Sequence, residues 1–399
     1  MRGMSSSRPR VLFLGHGAER TGPPVHLSHL LRWLKAEREV DATVIVARGG
    51  DLVEDYRARG AEVTVAMRGR EPLEPLPSAI RRARAPEAAE ALATRALRAR
   101  LRRTDPGDLV YLNTVSGPTV ALVDAIPLGD TPLLVHVHEL KIGLSAPPGD
   151  DVARLLRRAD AIVAASHAVA DDLVDRRDVD PARITIAHEL VEVAAVRHAV
   201  RGADRGSLRT ALGAGPSTVV VGSLGLPDWR KAPEHLLTAV WHLRRDRPDL
   251  DVRVAWIGGH AGSPDGDRMQ DEAARLGLGD RLHHVDHSAD PARWLAALDV
   301  FVLPSREDAF PLAALEAAAA GLPIVSFASG GVVELVDDAT GRVVPYPDVP
   351  AMARALAELA GDAALRAALG AEGAARVAER HDVGVGAPRV WAPAEALLR

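Results

Sequence analysis

Residues 299–334 read DVFVLPSREDAFPLAALEAAAAGLPIVSFASGGVVE, and this stretch decides the fold. Asp299 to Ser305 is a short apolar run ending in Pro and Ser, as suits a strand buried on both faces. REDAF then turns the chain, and Pro311 is expected at a first helical position, where its missing N–H costs nothing. The helix PLAALEAAAAG is carried by Ala and Leu and stops at Gly321, before a second strand PIVSFA. Strand, helix and parallel strand make a crossover unit. In such sheets ligands bind in the crevice at the carboxyl ends of the strands.

The helix start has the chemistry of an anion site. The amides of Leu312 and Ala313, with Ala309 and Phe310 just ahead, face the positive end of the helix dipole, about +0.5 charge, and a pyrophosphate fits there. Glu316 falls on the second turn and can accept hydrogen bonds from a vicinal diol such as a ribose, while Asp308 lies in the loop, nearer whatever lies beyond the phosphates. The same spacing also suits an Asp308 that caps the helix and a Glu316 that is a solvated helix residue.

The crossover pattern repeats outward from this stretch. Apolar runs at 11–15, 42–49, 62–67, 109–114, 132–139, 161–166 and 184–189 form one series, and runs at 218–225, 253–259, 282–287, 300–305, 323–328 and 341–346 a second. Helical stretches alternate with them, which predicts an α/β fold with two parallel sheets. The charged interval Val193–Thr218 lacks strand character and is expected to hold the linker between a domain of residues 1–195 and a domain of residues 208–384. Two such domains facing each other would create a cleft, a preferred place for ligands.

Composition excludes several functions. With 399 residues the chain is long enough for two domains of ordinary size. A net charge of −5 gives no sign of general nucleic-acid binding, and the lack of cysteine excludes disulfides, thiolate catalysis and cysteine metal sites. No signal-peptide core precedes VLFLG and no uncharged apolar run reaches membrane length, so a cytoplasmic protein is expected. Arg81–Arg103 carries eight Arg against Glu87 and Glu90. That helix is either a solvated face or a weak peripheral contact with an anionic membrane.

Other residues suit the same ligand chemistry. In VVGSLGLPDWRKAPEHLLTA (220–239), which contains Gly222, Arg230 and Lys231 stand at a turn where two cations could neutralise a leaving diphosphate; a lone Arg-Lys pair is also an ordinary surface feature. GHGAERTGPPVHLSHLLRWL (15–34) is glycine-containing but is not G-x-G-x-x-G. In LLVHVHEL, alternation puts His136 and His138 on one face of a strand and Glu139 on the other, an arrangement that is often only structural. Asp265-Gly266-Asp267, Asp178–Asp180 and Asp249–Asp251 are D-x-D strings away from the strand ends, so no metal is expected. Neither G-x-S-x-G nor H-E-x-x-H occurs, which leaves hydrolase readings without an anchor.

The string D-A-F-P-L-x-x-L-E-A, followed by G-L-P-I-V and G-G-x-x-E, resembles the donor-binding signature of the retaining glycosyltransferases of family 4, in its E-D-x-F-P subgroup. The resemblance covers nearly the whole chain and implies the GT-B fold, two Rossmann-like domains with parallel sheets facing an interdomain cleft. It implies a nucleotide-diphosphate sugar as donor and an acceptor hydroxyl or amine as partner, with no cofactor and no metal. Asp308 takes the place of the family's first acid and Glu316 of its second. Arg230 and Lys231 match the family's strand–loop–cation segment. Gly17, Thr21 and Gly22 match a loop that closes over the donor phosphates, and His138 with Glu139 matches a His-acid pair near the reacting sugar. The family's last helix returns to the first domain. Residues 385–399 are expected to do so, with Pro388 and Pro393 shortening any helix. No carboxylate is clearly placed as a nucleophile, and the resemblance implies front-face transfer. The rival readings are another sugar-nucleotide reaction of this fold, epimerisation or phosphorolysis, and a non-catalytic sugar-nucleotide-binding subunit.

Overall fold

The computed structural model describes residues 8–66, 99–288 and 290–399. The chain divides into two compact units. One comprises Met1–Ala165, Val169–Ala187 and Ala387–Arg399, and the other Ser166–Ala168 and His188–Gly386.

The first unit is built on a seven-stranded sheet: β1 (Arg10–Gly15), β2 (Asp41–Val46), β3 (Glu62–Val65), β4 (Leu109–Leu112), β5 (Leu133–Val137), β6 (Ala161–Ala164) and β7 (Ile184–Ile186). Every pairing is parallel and the order is β3-β2-β1-β4-β5-β6-β7. The second unit carries β8 (Val219–Leu224), β9 (Val252–Ile257), β10 (Leu282–Val285), β11 (Val300–Leu303), β12 (Ile324–Phe327) and β13 (Gly341–Val344), all parallel in the order β10-β9-β8-β11-β12-β13. In each sheet the winding reverses at one place, between β1 and β4 and between β8 and β11. The crevice at the carboxyl ends of those strands is the topological switch point.

The central strands are apolar throughout because both faces are covered. Val300 to Leu303 of β11 are all fully buried, and Val302 joins Trp256, Phe327, Met352 and Leu356 in one core. Each such side chain contributes about 1.5–3 kcal/mol by leaving water. All thirteen expected strands are present, but several end before their apolar runs do. LVYLNT continues to Thr114, yet β4 stops at Leu112; the Asn113 amide still donates to the Leu14 carbonyl of β1 at 2.9 Å, and Asn113 and Thr114 are buried where the chain leaves the sheet.

Two expectations are corrected. The interval expected to be a linker is helical, at Val193–Gly202 and Arg205–Ala211, and lies within the second unit. Its charges are anchors: Arg205 and Arg209 bind Asp299 at 2.7 and 2.8 Å, just ahead of β11. Pro388 and Pro393 do not shorten the last helix, which runs Val383–Leu397. Packing compensates for the hydrogen bonds they remove, since Val390, Trp391 and Ala394 are buried and Trp391 stacks with Tyr111 and Phe13 at ring distances of 6.4 and 6.3 Å. Of the basic stretch Arg81–Arg103, residues 81–98 lie outside the described residues. No helix among the described residues is long and apolar enough to cross a membrane.

Candidate functional site

The loop after β11 is held to the segment after β12 by backbone pairing. Asp308 donates its N–H to Ser329 at 2.9 Å and accepts from Gly331 at 3.0 Å. The helix that follows is Leu312–Ala319, so Pro311 is its N-cap and not its first residue. Pro311 has an extended ψ of 104°, and from outside the helix its carbonyl accepts from Ala314 at 3.0 Å and Leu315 at 3.2 Å. Sequence could not separate the two positions, because both tolerate a missing N–H. The amides of Leu312 and Ala313 make no hydrogen bond within the described residues, so this end keeps the donors that an anion would use. Glu316 is half-buried on the second turn.

Asp308 is not a helix cap. It is buried, and its Oδ2 lies 2.6 Å from Lys231 Nζ and 3.5 Å from Arg230 NH1. Arg230 also donates to the Glu307 carbonyl at 3.3 Å. Sequence placed the acid and the cations in separate roles, whereas the fold brings them together because β8 and β11 are neighbours and each carries its loop to the switch point. Burial alone would raise the Asp308 carboxyl, but the charges of Lys231 and Arg230 and the Lys231 hydrogen bond outweigh it and hold it below the ordinary carboxylate range. The trio carries one net positive charge. Glu189, also buried, acts on Asp308 in the opposite sense.

The turn that positions Lys231 relies on unusual backbone. Ala232 is left-handed at φ 51°, and the Lys231 amide donates to Asp228 at 2.8 Å. Gly225 has φ 138°, and its carbonyl accepts from Trp256 Nε1 at 2.9 Å. Gly222 is different: it sits inside β8, where a Cβ would meet Leu298 at 2.6 Å and the Ala255 carbonyl at 2.9 Å. Its small size serves strand packing.

The G-G-x-x-E string resolves into three separate physical demands. Gly330 has φ 111° and ψ −143°, a conformation that side chains rarely adopt. A Cβ on Gly331 would collide with the Ala309 carbonyl and come within 3.0 Å of the Phe310 ring. Glu334 accepts from His167 Nδ1 at 2.7 Å, His188 Nε2 at 2.9 Å and the amides of His167 and Ala168 at 3.1 and 3.3 Å. Burial opposes its ionisation, but these donors prevail and its carboxyl is pulled down to about 2. The His188 ring stacks on Phe310 at 4.4 Å with an interplanar angle of 9°. Phe310 is therefore buried by ring stacking as it leads into the helix.

In the first unit, Thr21 is the N-cap of the helix Gly22–Glu37 but makes no side-chain cap, and its Oγ1 has no partner within the described residues. Pro23 and Pro24 strip two N–H groups from that helix start, so it offers fewer amides to an anion than the Leu312 end does. A Cβ on Gly17 would collide with Glu19, whereas Gly22 has open space around it. His136 and His138 do share a face, with ring centroids 3.9 Å apart, and His26 meets them edge-on at 4.9 and 5.1 Å. Tyr111 Oη lies 2.7 Å from His136 Nδ1. β5 ends at Val137, so Glu139 is beyond the alternating ladder. Its carboxylate folds back onto Thr114 Oγ1 and the amides of Val115 and His138, both at 3.0 Å. Burial raises the Glu139 carboxyl, and the His138 charge and these hydrogen bonds offset only part of the rise. Glu139 thus fixes the turn that presents His138.

Sequence reading missed Glu189, His167 and His188, and saw Glu334 only as the last letter of G-G-x-x-E. Asp265 and Asp267 of the D-x-D string occupy the first turn of the helix Pro264–Arg275, with Asp265 bound to Arg268 at 3.0 Å. G-G-x-x-E was the one available signal for Glu334, and nothing in the linear order points from it to two histidines about 150 positions upstream.

Known proteins resemble this chain in sequence and in fold. Residues 20–195 match the family described as Glycosyltransferase Family 4, and residues 215–362 match Glycosyl transferases group 1. A D-inositol 3-phosphate glycosyltransferase of Streptomyces avermitilis is 34% identical over 237 residues, which are 57% of this chain and 49% of that protein. The chain spans about half the length of the curated relatives it matches. Among solved structures, HepE of Anabaena in complex with UDP-glucose superposes with a TM-score of 0.78 at 17% identity, covering 98% of this chain and 100% of that one. Sucrose-phosphate synthase from Thermosynechococcus elongatus gives 0.75 at 18% identity, covering 98% and 99%. With both parallel sheets and both matches in place, the chain carries a Glycosyltransferase Family 4 match in its first part and a Glycosyl transferases group 1 match in its second, and has the GT-B fold.

Proposed function

We propose that the protein transfers a sugar from a nucleoside-diphosphate sugar to an acceptor hydroxyl or amine, with retention of configuration and without a metal. The observation that carries this reading is the meeting of Arg230 and Lys231 at buried Asp308, four residues before the unpaired amides of Leu312 and Ala313. A diphosphate bound there would meet the helix end and a cluster with net charge +1. In the reaction the bond from the sugar's anomeric carbon to the phosphate oxygen breaks, and the acceptor bonds to that carbon on the same face. The acceptor's proton passes to the departing phosphate. Arg230 and Lys231 stabilise the charge that gathers on the diphosphate, a kind of contact whose loss costs about 10²–10³ in rate. Glu316 would hold the ribose diol and Asp308 would orient Lys231 and meet the donor sugar. Gly17, Thr21 and Gly22 would close over the donor phosphates, and His138, with Glu139 as the positioning residue behind it, would stand near the reacting sugar.

Release of nucleoside diphosphate from UDP-glucose and other nucleotide sugars, with and without acceptors, tests the proposal. UDP-glucose comes first because HepE is held with it, and an inositol phosphate is the first acceptor because curated relatives are named for it. Transfer should persist in EDTA. Turnover of donor without acceptor would favour an epimerase, phosphate-dependent release a phosphorylase, and no transfer by the purified chain a binding subunit.

A further inference from the structure

His167, His188 and Glu334 are the only set of three metal-ligating side chains that converges among the described residues, with the ligand atoms all within 4.8 Å of one another. All three belong to the second unit. The two imidazoles come from separate segments and present different ring nitrogens, Nδ1 of His167 and Nε2 of His188, to the same carboxylate oxygen. We propose that these three side chains bind one divalent transition-metal ion of the zinc class, with water completing the site, independently of the sugar-transfer reading.

The chemistry of the donor set favours this. Two neutral imidazoles and one carboxylate are a usual zinc set with one open position. Glu334 already turns one carboxylate oxygen, Oε2, to both imidazoles. The surroundings hold the ligands in place. His188 is fixed by its stack on Phe310 at 4.4 Å, and Glu334 by the amides of His167 and Ala168. Metal ligands held by such outer contacts lose little freedom on binding. His167 is 67% exposed, which leaves a path for entry. A cap for two amides would need the carboxylate alone, so it leaves the paired histidines unexplained.

To bind the ion, each neutral imidazole would carry its proton on the ring nitrogen away from Oε2, Nε2 of His167 and Nδ1 of His188, leaving the facing nitrogens free to ligate. Zinc–ligand bonds of about 2.0–2.2 Å at a tetrahedral angle separate neighbouring ligand atoms by about 3.3 Å. The present 2.7 and 2.9 Å must therefore open by about half an ångström, a movement within reach of the exposed His167 side chain.

The test is titration of the purified, chelator-stripped full chain with Zn²⁺, followed by calorimetry, and with Co²⁺, followed by its visible spectrum. The expected result is one tight site, a Co²⁺ band of tetrahedral nitrogen and oxygen ligation, and at least a tenfold loss of affinity in His167→Ala and in His188→Ala. His167→Ala alters an exposed side chain, so the variant should remain folded and its melting curve serves as the control. Zinc binding by the wild type no tighter than by the His167→Ala/His188→Ala double variant would overturn the proposal. Transfer activity in EDTA is read separately, so loss of the metal site and loss of the transferase reading are distinguishable.

Discussion

Lys231 and Asp308 illustrate how a residue's neighbours set its role. Removing one member of a buried ion pair leaves the other uncompensated, at about 3–5 kcal/mol. Lys231→Ala should therefore lower stability by that order and also reduce kcat by about 10²–10³, measured by urea unfolding and by nucleoside-diphosphate release. An active, equally stable variant would remove Lys231 from the site. Glu334 makes a pH prediction. Its folded pKa of about 2 lies below the ordinary 4.5, so its contribution to stability is fully present above about pH 4.5 and is lost as pH falls towards 2. Each pKa unit is worth about 1.4 kcal/mol, so the full shift corresponds to about 3.5 kcal/mol; solvent screening of this half-buried group reduces the expected cost of Glu334→Gln at pH 7 to about 2–3 kcal/mol, with the difference from wild type closing near pH 2. Urea unfolding of both proteins across that range decides it; a constant difference would assign the stabilisation to shape and not to charge. Asp308, Arg230 and Lys231 were each legible as candidates, but their pairing was not: Lys231 and Asp308 lie 77 positions apart in the chain.

Among the elements, the crossover β11–helix–β12 was the most legible. Burial on both faces leaves strands with no polar alternation, and Ala and Leu carry the helix between them. Element ends were less legible, since loops at the carboxyl edge are buried too and carry apolar residues past the last ladder pair. The chain's prolines show the same limit, with Pro311 outside its helix and Pro388 and Pro393 inside theirs. Gly331 links the motif to the loop geometry. Gly331→Ala should displace the Ala309–Phe310 segment, because the new Cβ has no room against the Ala309 carbonyl. Donor affinity should weaken at least tenfold in a folded variant, read by thermal shift with UDP-glucose; unchanged affinity would show that this loop does not set the amides of Leu312 and Ala313.

For the whole molecule, the end of the chain folds as part of the first unit. Trp391 is buried beneath Tyr111 and Phe13, and Arg38 bonds Glu395 at 2.7 Å. Trp391→Ala should cost about 3–5 kcal/mol and destabilise the first unit ahead of the second, as hydrogen exchange would report; uniform loss across both sheets would contradict this. From sequence alone came the two parallel sheets, the glycosyltransferase resemblance and the choice of Asp308, Glu316, Arg230 and Lys231 as candidates, because strand burial, helix composition and short motifs are written locally. Tertiary structure alone decided that Asp308 is paired with Lys231, that Glu139 is a clamp on its own turn, and that His167, His188 and Glu334 meet. These depend on which strands become neighbours, and strand order is set by packing across the whole sheet, which no local run of residues encodes.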